Sequence, residues 1–304
     1  MPLPILLDTD VGTDVDDAIA IALVLAAPEL DLRAVTTVSG DVRLRARIAK
    51  KLLALGGRSD IPVAAGVREP VLRQRSFLWL GHEGRAIVAD DEPLPLADAH
   101  GVDLLIDTVL RERPHVVTIG PLSNLAVAIM KEPAIIGAIP HLTVMGGSLG
   151  RGDVPPVEYN LGSDAEASLV VLGAGIPVTL VPLDVTFRTF FLSPELARLR
   201  TSSSRLVQTV CDAIEVWAPV HRALFEGQRS FDPDTVAFLH DPLTIALLAD
   251  PTLVTIERLP LRPTIVDGTF RLADDPSAAP LDVAVDVDAP RFVAFLLERL
   301  LRLA

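Results

Sequence analysis

Short aliphatic runs alternate with helix-length segments along most of this chain, and no other feature of the sequence constrains the fold as strongly. The runs include PILL at 4–7, DLRAVTTV at 31–38, HVVTI at 115–119, LTVM at 142–145 and PVTLV at 177–181. Strands that are apolar nearly throughout are covered on both faces. The alternation therefore predicts an α/β fold built on an open, mostly parallel (mixed) sheet with helices on both faces.

Polar or glycine-rich segments follow these runs: DTD at 8–10, SGD at 39–41, GPLSN at 120–124, MGG at 145–147 and LDVT at 183–186. In open parallel sheets, ligands bind beyond the carboxyl ends of the strands. We therefore expect the functional residues of this protein to lie in these segments.

The chain contains no linker rich in Gly, Ser or Pro and no repeat of fixed period, which predicts one domain over residues 1–304. Within this domain, residues 193–239 have a mainly helical pattern. We expect this helical region to lie near the functional site.

The composition argues against two classes of partner. The net charge is −13, whereas nucleic-acid binding needs clustered Lys and Arg. The longest uninterrupted apolar run, at 18–27, has ten residues, about half of the roughly 20 that cross a bilayer. The sequence thus predicts neither a nucleic-acid partner nor a membrane span.

The single cysteine, Cys211, cannot form an internal disulfide, and a lone thiol suits a reducing compartment. The amino terminus, MPLPILLDTD, shows no basic leader before the first apolar run. Together these features predict a cytoplasmic protein.

The segment DTDVGTDVDDAIA at 8–20 concentrates five carboxylates between an apolar run and an apolar helix: Asp8, Asp10, Asp14, Asp16 and Asp17. Unpaired carboxylates a few ångströms apart repel each other, and burial increases the cost. Oxygen-only ligation is what calcium and magnesium select, and the spacing does not fit an EF-hand. The turn therefore predicts a strand-to-helix site for a hard divalent cation.

Two other interpretations of this acidic turn stay open. Asp14 and Asp16 could cap the helix while the other acids make surface contacts. The letters DTDVGT also match the DxDxT pattern of haloacid-dehalogenase-like phosphatases, in which Asp8 would be the nucleophile and magnesium the cofactor.

A second motif, HDP at 240–242, begins another predicted helix, since proline is favoured in the first turn. Asp241 can supply a distant carboxylate to a cation. His240 could act as a proton donor with a pKa near neutrality, although a single histidine is more often structural.

Six segments in order give the chain a resemblance to a known family: DTDVGTDVDDAIA, TTVSGD, GHEGRA, GPLSNLA, MGGSLGRGDVPPVEYNLGSDAEA and HDPLTIALL. Over nearly its whole length the chain resembles the nucleoside hydrolases of the inosine-uridine-preferring type. The resemblance implies a Rossmann-like nucleoside hydrolase fold and calcium-dependent hydrolysis of ribonucleosides to free base and ribose. It also implies a homodimer or homotetramer.

The resemblance also assigns roles to individual residues. It implies that Asp10 is both a calcium ligand and the general base, and that His240 delivers a proton to the leaving base. The other calcium ligands would be Asp17, Asp241 and the backbone carbonyl of Ser123, with Asp8 as a supporting partner. Substrate-binding positions would be Asp16, Asp41, His82, Met145, Asp153, Glu158, Asn160 and Gln228.

The chain departs from the family pattern in three places. The family's turn is DxDPGxDD, whereas this turn carries two extra residues and has Val11 in place of proline. Asp41 and Asp153 stand where the family has asparagine, so an amide donor is replaced by an acceptor. Asp14 belongs to the inserted residues and has no assigned role.

The expected base preference is pyrimidine-accepting or nonspecific. His82 and His240 together resemble that branch of the family, whereas the purine-specific branch has Trp before the calcium-binding Asp. A magnesium-dependent phosphatase and a non-catalytic, calcium-dependent nucleoside or ribose binder remain the alternatives.

Overall fold

The computed structural model describes residues 1–88, 92–151, 154–225, 232 and 234–303. Two predicted substrate-binding residues, Asp153 and Gln228, lie outside these ranges. The described strands, in chain order, are β1 (Leu3–Thr9), β2 (Leu30–Thr37), β3 (Val63–Ala65), β4 (His115–Thr118), β5 (Leu142–Met145), β6 (Val178–Val181), β7 (Phe190–Leu192), β8 (Thr235–Phe238), β9 (Val254–Leu259), β10 (Leu261–Val266), β11 (Thr269–Asp274) and β12 (Leu281–Val287).

The described helices are α1 (Asp16–Ala26), α2 (Val42–Leu55), α3 (Gly101–Glu112), α4 (Ser123–Lys131), α5 (Ile135–Ala138), α6 (Tyr159–Ser163), α7 (Ala165–Leu172), α8 (Leu183–Thr186), α9 (Ser193–Leu199), α10 (Arg205–Phe225), α11 (His240–Ala249) and α12 (Ala289–Leu301). Within the described ranges, none of these helices combines the length and the apolar character needed to cross a membrane.

Eight strands form the central sheet, in the order β3-β2-β1-β4-β5-β6-β12-β9. Neighbours from β3 to β12 pair in parallel, and β9 pairs antiparallel with β12. Two smaller sheets pair β10 with β11 and β7 with β8. The prediction of an open, mostly parallel but mixed sheet is confirmed.

Two apolar cores cover the two faces of this sheet. Ile5 and Leu7 of β1 belong to a core with α1, α2, α10, α11 and α12, whereas Leu6 belongs to another core with α3, α4, α5 and α7. Because side chains alternate across a strand, the two cores lie on opposite faces. Helices on both faces are therefore also confirmed.

The carboxyl end of the sheet positions the functional segments. After β1 the chain turns at Gly12, whose φ of +123° is a conformation that side chains with a Cβ rarely adopt, and then enters α1. After β2 it turns through Ser39 and Gly40, both with positive φ, and enters α2. In the region 193–239 the described elements are α9, α10 and β8, and Trp217 on α10 reaches the same edge of the sheet.

Two histidines lie together at the amino ends of β4 and β5, away from these segments. The ring centroids of His115 and His141 are 5.1 Å apart, and their Nε2 atoms bond the hydroxyls of Thr143 and Thr179 at 2.7 and 2.9 Å. Burial lowers the pKa of both histidines, and the neighbouring charge of His141 helps to bring the pKa of His115 to about 4.

We expect this pair to make the protein less stable in mild acid. His115 is neutral in the folded state down to a pKa of about 4, whereas unfolded histidine takes up a proton below about pH 6.5. Stability is therefore lost as pH falls from 6.5 towards 4, by about 2 kcal/mol at pH 5. Urea unfolding of the wild type and of His115→Gln near pH 7 and pH 5 measures the effect.

The His115→Gln variant should lose less stability between these two pH values than the wild type. His100, an exposed histidine that caps α3, provides the control, as His100→Asn keeps a capping side chain. Equal pH dependence in the wild type and His115→Gln would contradict the prediction.

Candidate active site

A cavity of about 300 Å³ opens at the carboxyl ends of the strands. Eight of the predicted site residues line it: Asp10, Asp16, Asp17, Met145, Glu158, Asn160, His240 and Asp241. Asp14 of the longer turn lines it as well. The folded chain thus brings the amino-terminal turn, the segment after β5 and the start of α11 into one site.

Three carboxylates form the tightest group in this cavity. Asp16, Asp17 and Asp241 each offer an oxygen, and these oxygens all lie within 4.8 Å of one another. The backbone N–H of Asp241 donates to Asp16 Oδ2 at 3.2 Å, so the starts of α1 and α11 are joined. Burial raises the pKa of all three acids, and repulsion from neighbouring carboxylates of the cavity raises it further. A cation among these oxygens would remove that cost.

Asp10 extends this acidic surface. Its carboxylate is buried, and its charge contributes to the raised pKa values of Asp16, Asp17 and Asp241. Burial raises the pKa of Asp10 itself, and the nearby guanidinium of Arg45 counteracts the rise. Asp10 therefore lies within electrostatic range of the group.

Helix capping does not account for these acids. Val15 is the N-cap residue of α1 and offers no capping side chain. Asp14 instead accepts from the N–H of Val15 at 2.6 Å, and burial raises the pKa of Asp14 to about 7. The acids of the first turn face the cavity, which disfavours the capping interpretation.

The structure does not bring Ser123 to the cavity. Ser123 lies in the first turn of α4, where its hydroxyl donates to Asp164 at 2.5 Å. The backbone beside the acids belongs to the residues just after β4: a Cβ on Gly120 would lie 2.8 Å from Asp10 Oδ1, and Ile119 lines the cavity. The carbonyl of Ile119 accepts from Nδ2 of Asn160, another residue of the lining, at 3.2 Å, so this carbonyl lies at the cavity and the expected use of the Ser123 carbonyl is not supported.

Asp8 supports the site from behind. It is fully buried, and Oδ1 accepts from the hydroxyl of Thr36 and from Nδ2 of Asn124 at 2.5 and 2.7 Å. Burial raises the pKa of Asp8 to about 7. Asp8 is absent from the described lining of the cavity. Its side chain therefore ties β1 to β2 and α4 and is not placed to attack a substrate.

Arg45, which the sequence did not single out, organises the acidic turn. This fully buried side chain donates from Nε to the carbonyl of Ser39 at 2.6 Å and from Nη2 to Thr13 Oγ1 at 2.9 Å. Its Nη1 donates to the carbonyls of Asp10 and Val11. The Trp79 ring lies over the guanidinium, 5.3 Å away. Arg45 therefore fixes the turn and brings a positive charge next to Asp10.

Glu158 and Asn160 form a second, well-bonded side of the cavity. The Glu158 carboxylate accepts from three backbone N–H groups, those of Gly147, Asn160 and Leu161, at 2.5–3.0 Å. Burial nevertheless raises its pKa to about 7. Asn160 Nδ2 donates to the carbonyls of Ile119 and Met145 at 3.2 and 3.3 Å. These contacts hold the two side chains in fixed orientations.

Tyr159 connects this side to the loop over the cavity. Its hydroxyl accepts from the N–H of Leu78 at 2.9 Å, and both residues line the cavity.

His240 also lines the cavity, next to Asp241 in the chain. Its Nδ1 is 2.8 Å from the hydroxyl of Thr186, and its ring centroid is 5.3 Å from that of Phe238. Burial, with a contribution from the charge of His221, lowers the pKa of His240 to about 3. The expectation of a pKa near neutrality is therefore wrong for this side chain: the imidazole is neutral at neutral pH.

Two predicted substrate-binding residues have other contacts. His82 donates from Nε2 to the carbonyl of Thr13 at 2.8 Å, its ring centroid is 5.5 Å from that of Trp217, and it lines a smaller neighbouring pocket. Asp41 is exposed and caps α2 by accepting from the N–H of Leu44 at 3.0 Å. Neither residue is among the described residues that line the acidic cavity.

Removing the Arg45 guanidinium should strongly destabilise the protein. Arg45→Met would leave the buried carbonyls of Asp10, Val11 and Ser39 without their donor and would remove a charge that offsets the acids. We expect the free energy of unfolding to fall by about 3–5 kcal/mol. Urea unfolding of Arg45→Met and of Arg43→Met, an exposed arginine of the same helix, tests this. Similar midpoints for the two variants would contradict it.

Comparison with known proteins adds an independent line of evidence. Residues 5–294 match the family model described as inosine-uridine preferring nucleoside hydrolase. The pyrimidine-specific ribonucleoside hydrolase RihA of Salmonella arizonae is 35% identical over 315 residues, covering 99% of each chain. A solved purine-preferring ribonucleoside hydrolase from Gardnerella vaginalis is 29% identical with a TM-score of 0.86, covering 99% of this chain and 98% of that one. A solved plant nucleoside hydrolase is 28% identical with a TM-score of 0.84, covering 99% of this chain and 100% of that one. The chain belongs to the inosine-uridine preferring nucleoside hydrolase family.

Proposed function

We propose that this protein hydrolyses the N-glycosidic bond of ribonucleosides in a calcium-dependent reaction, releasing the free base and ribose, and that it accepts pyrimidines or is nonspecific. One observation carries the proposal. Asp16, Asp17 and Asp241 converge within 4.8 Å in a cavity whose lining also includes the fixed carboxylate of Glu158 and the ring of His240.

The donor set suits a hard cation. The converging groups are carboxylate oxygens only, and burial together with repulsion from neighbouring carboxylates raises the pKa of each. Hard cations such as calcium select this type of site. Of this group, Asp17 and Asp241 would hold the ion together with Asp10, whose charge acts on both, and with the carbonyl of Ile119 in place of that of Ser123. Asp16 would lie beside the ion and accept from a ribose hydroxyl. When bound, calcium would orient a water molecule and the ribose hydroxyls.

The chain's own residues would divide the reaction between them. As the water oxygen bonds to C1′ and the C1′–N bond breaks, Asp10 accepts the proton of the water. The surrounding carboxylates favour the positive charge that develops on the ribose. Asp16, Glu158 and Asn160 hold the ribose hydroxyls, and Met145 lines the same side. The base leaves with the electron pair of the C1′–N bond, and the ring N–H of His240 donates to the nitrogen on which negative charge develops. The base takes up a proton as it is released, and Asp10 returns its proton to water.

The lining of the cavity favours nucleosides over nucleotides. No lysine or arginine is among the described residues that line it, whereas six carboxylates are. A phosphate group would meet unbalanced negative charge. On the side of His240, Phe187, Trp217 and Leu224 supply apolar surface for a base. Relatives with pyrimidine and with purine preferences are both similar to this chain, so the base preference needs a direct measurement.

The phosphatase alternative fits the site less well. Its nucleophile would be Asp8, whose Oδ1 already accepts two hydrogen bonds in the core behind the cavity. A non-catalytic binder would not need both Asp10 and His240 in the lining of the cavity. Hydrolysis is therefore the activity that this arrangement supports best.

The cytoplasmic location and the homodimer or homotetramer remain predictions. The buried thiol of Cys211 is compatible with a reducing compartment. Light scattering after size-exclusion chromatography would measure the oligomeric state.

Two variants should distinguish the proposed role of Asp10 from that of His240. Asp10→Ala should lose both turnover and calcium affinity, because one carboxylate serves both. His240→Ala should lose turnover by about 10²–10⁴-fold and keep its calcium, since the ring acts only on the leaving base. Release of reducing sugar from uridine, cytidine, inosine and adenosine, with calcium content by mass spectrometry, gives both readouts.

Asp60→Ala is the matched control, since Asp60 is an exposed carboxylate that pairs with Arg58. A chelator should abolish the wild-type activity, and added calcium should restore it. A fully active Asp10→Ala enzyme would refute the role of Asp10 as general base. Activity that survives chelation would refute the dependence of the reaction on a metal ion.

A further inference from the structure

His240 is held from behind by one hydroxyl. His240 begins α11 and Thr186 ends α8, and the two side chains meet 54 residues apart in the chain with Nδ1 and Oγ1 at 2.8 Å. Thr186 is fully buried. Because His240 lines the cavity and its Nδ1 is engaged by this hydroxyl, Nε2 is the nitrogen left for a substrate.

The hydroxyl itself is firmly placed. The carbonyl of Thr186 accepts from the hydroxyl and the N–H of Thr189 at 2.8 and 3.0 Å. The next side chain, Phe187, stacks on Phe238 with ring centroids 4.4 Å apart. The end of α8 is therefore anchored to the strand that precedes His240.

This contact decides which ring nitrogen carries the proton. A neutral imidazole has one donor and one acceptor nitrogen, and the partner of one nitrogen sets the state of the other. Within the described part of the chain, Thr186 Oγ1 has one hydrogen-bond partner, Nδ1 of His240. The hydroxyl proton is satisfied if it points at Nδ1, so Nδ1 accepts and the ring proton lies on Nε2.

We propose that Thr186 is a positioning residue for the hydrolytic reaction: its hydroxyl donates to Nδ1 of His240 and holds the ring N–H on Nε2, directed at the leaving base. This inference rests on the proposed function. Without the hydroxyl, the ring can carry its proton on Nδ1 or rotate, and in either state the departing base loses its donor.

The chain offers a closely matched control. Thr189 is also a fully buried threonine of the same segment, but its hydroxyl donates to the carbonyls of Thr186 and Leu239 and not to the His240 ring. Thr189→Val thus removes a buried hydroxyl beside the site and one of the two bonds to the Thr186 carbonyl, whereas the N–H of residue 189 still donates to that carbonyl and Nδ1 of His240 is not touched. Thr186→Ser keeps the hydroxyl and removes only a methyl group.

The test compares two leaving groups. Uracil is a poor leaving group, so its departure from uridine benefits from a hydrogen-bond donor. The nitrophenolate of p-nitrophenyl β-D-riboside is a stable anion and leaves without such a donor. We expect Thr186→Val to lower kcat/KM for uridine by about 10–100-fold, a part of the typical contribution of acid catalysis, and to change the riboside reaction by less than about twofold. Thr186→Ser should keep most of the uridine activity, and Thr189→Val should not discriminate between the substrates.

Other outcomes would overturn the inference. Equal losses of Thr186→Val on both substrates would indicate a purely structural role, and unchanged uridine activity would show that the hydroxyl is dispensable. A wild type that hydrolyses neither substrate would refute the proposed function.

A second measurement does not depend on activity. Ring ¹⁵N NMR of the calcium-loaded protein, with the His240 signals assigned from His240→Gln, reports the tautomer. We expect the proton on Nε2 in the wild type and in Thr186→Ser, and a shift towards Nδ1 in Thr186→Val. A wild-type ring protonated on Nδ1 would overturn the inference even if the enzyme is active.

Discussion

Burial of negative charge is the constraint on which the rest of this structure depends. Six carboxylates line one cavity, and burial raises the pKa of each: Asp10, Asp14, Asp16, Asp17, Glu158 and Asp241. An ionised carboxylate removed from water costs several kcal/mol unless it is paired or hydrogen-bonded. The carboxylates of the cavity differ in how many hydrogen bonds offset this cost. On this basis the site has two parts.

On one side of the cavity, hydrogen bonds from backbone N–H groups offset the cost of burying a carboxylate. Glu158 accepts from three N–H groups, which fixes its carboxylate before any ligand arrives. On the other side, Asp17 accepts from the hydroxyl of Thr9 and Asp16 from the N–H of Asp241, which leaves much of their acceptor capacity unused. The bonded side is suited to orienting a sugar, and the underbonded side leaves carboxylate oxygens free for a cation and for a ribose hydroxyl beside it. Arg45 adds a fixed positive charge behind the turn, where it does not occupy the cavity.

The parts of the structure that depend on local pattern were predictable from the sequence. The apolar runs predicted the strands, and the polar segments after these runs predicted the edge of the sheet where the cavity lies. The acidic turn and the HDP motif predicted the grouping of Asp16, Asp17 and Asp241. Ser123 was misplaced because a carbonyl ligand leaves no side-chain signal: every residue between β4 and α4 offers the same group. Arg45 was missed because it alternates with two other arginines in VRLRARIAK, and only tertiary packing decides which one is buried.

Contacts with the longer turn hold one expected histidine, His82. Thr13 lies in this turn, its carbonyl accepts a hydrogen bond from Nε2 of His82, and its hydroxyl lies between Arg45 and Glu83. These contacts join the acidic turn to the GHEG segment at 81–84, where His82 lies beside Trp217. Among the described residues, His240 is then the only histidine that lines the cavity. In the proposed reaction, assistance to the leaving base would therefore come from this one ring and would depend on the contacts that fix its orientation.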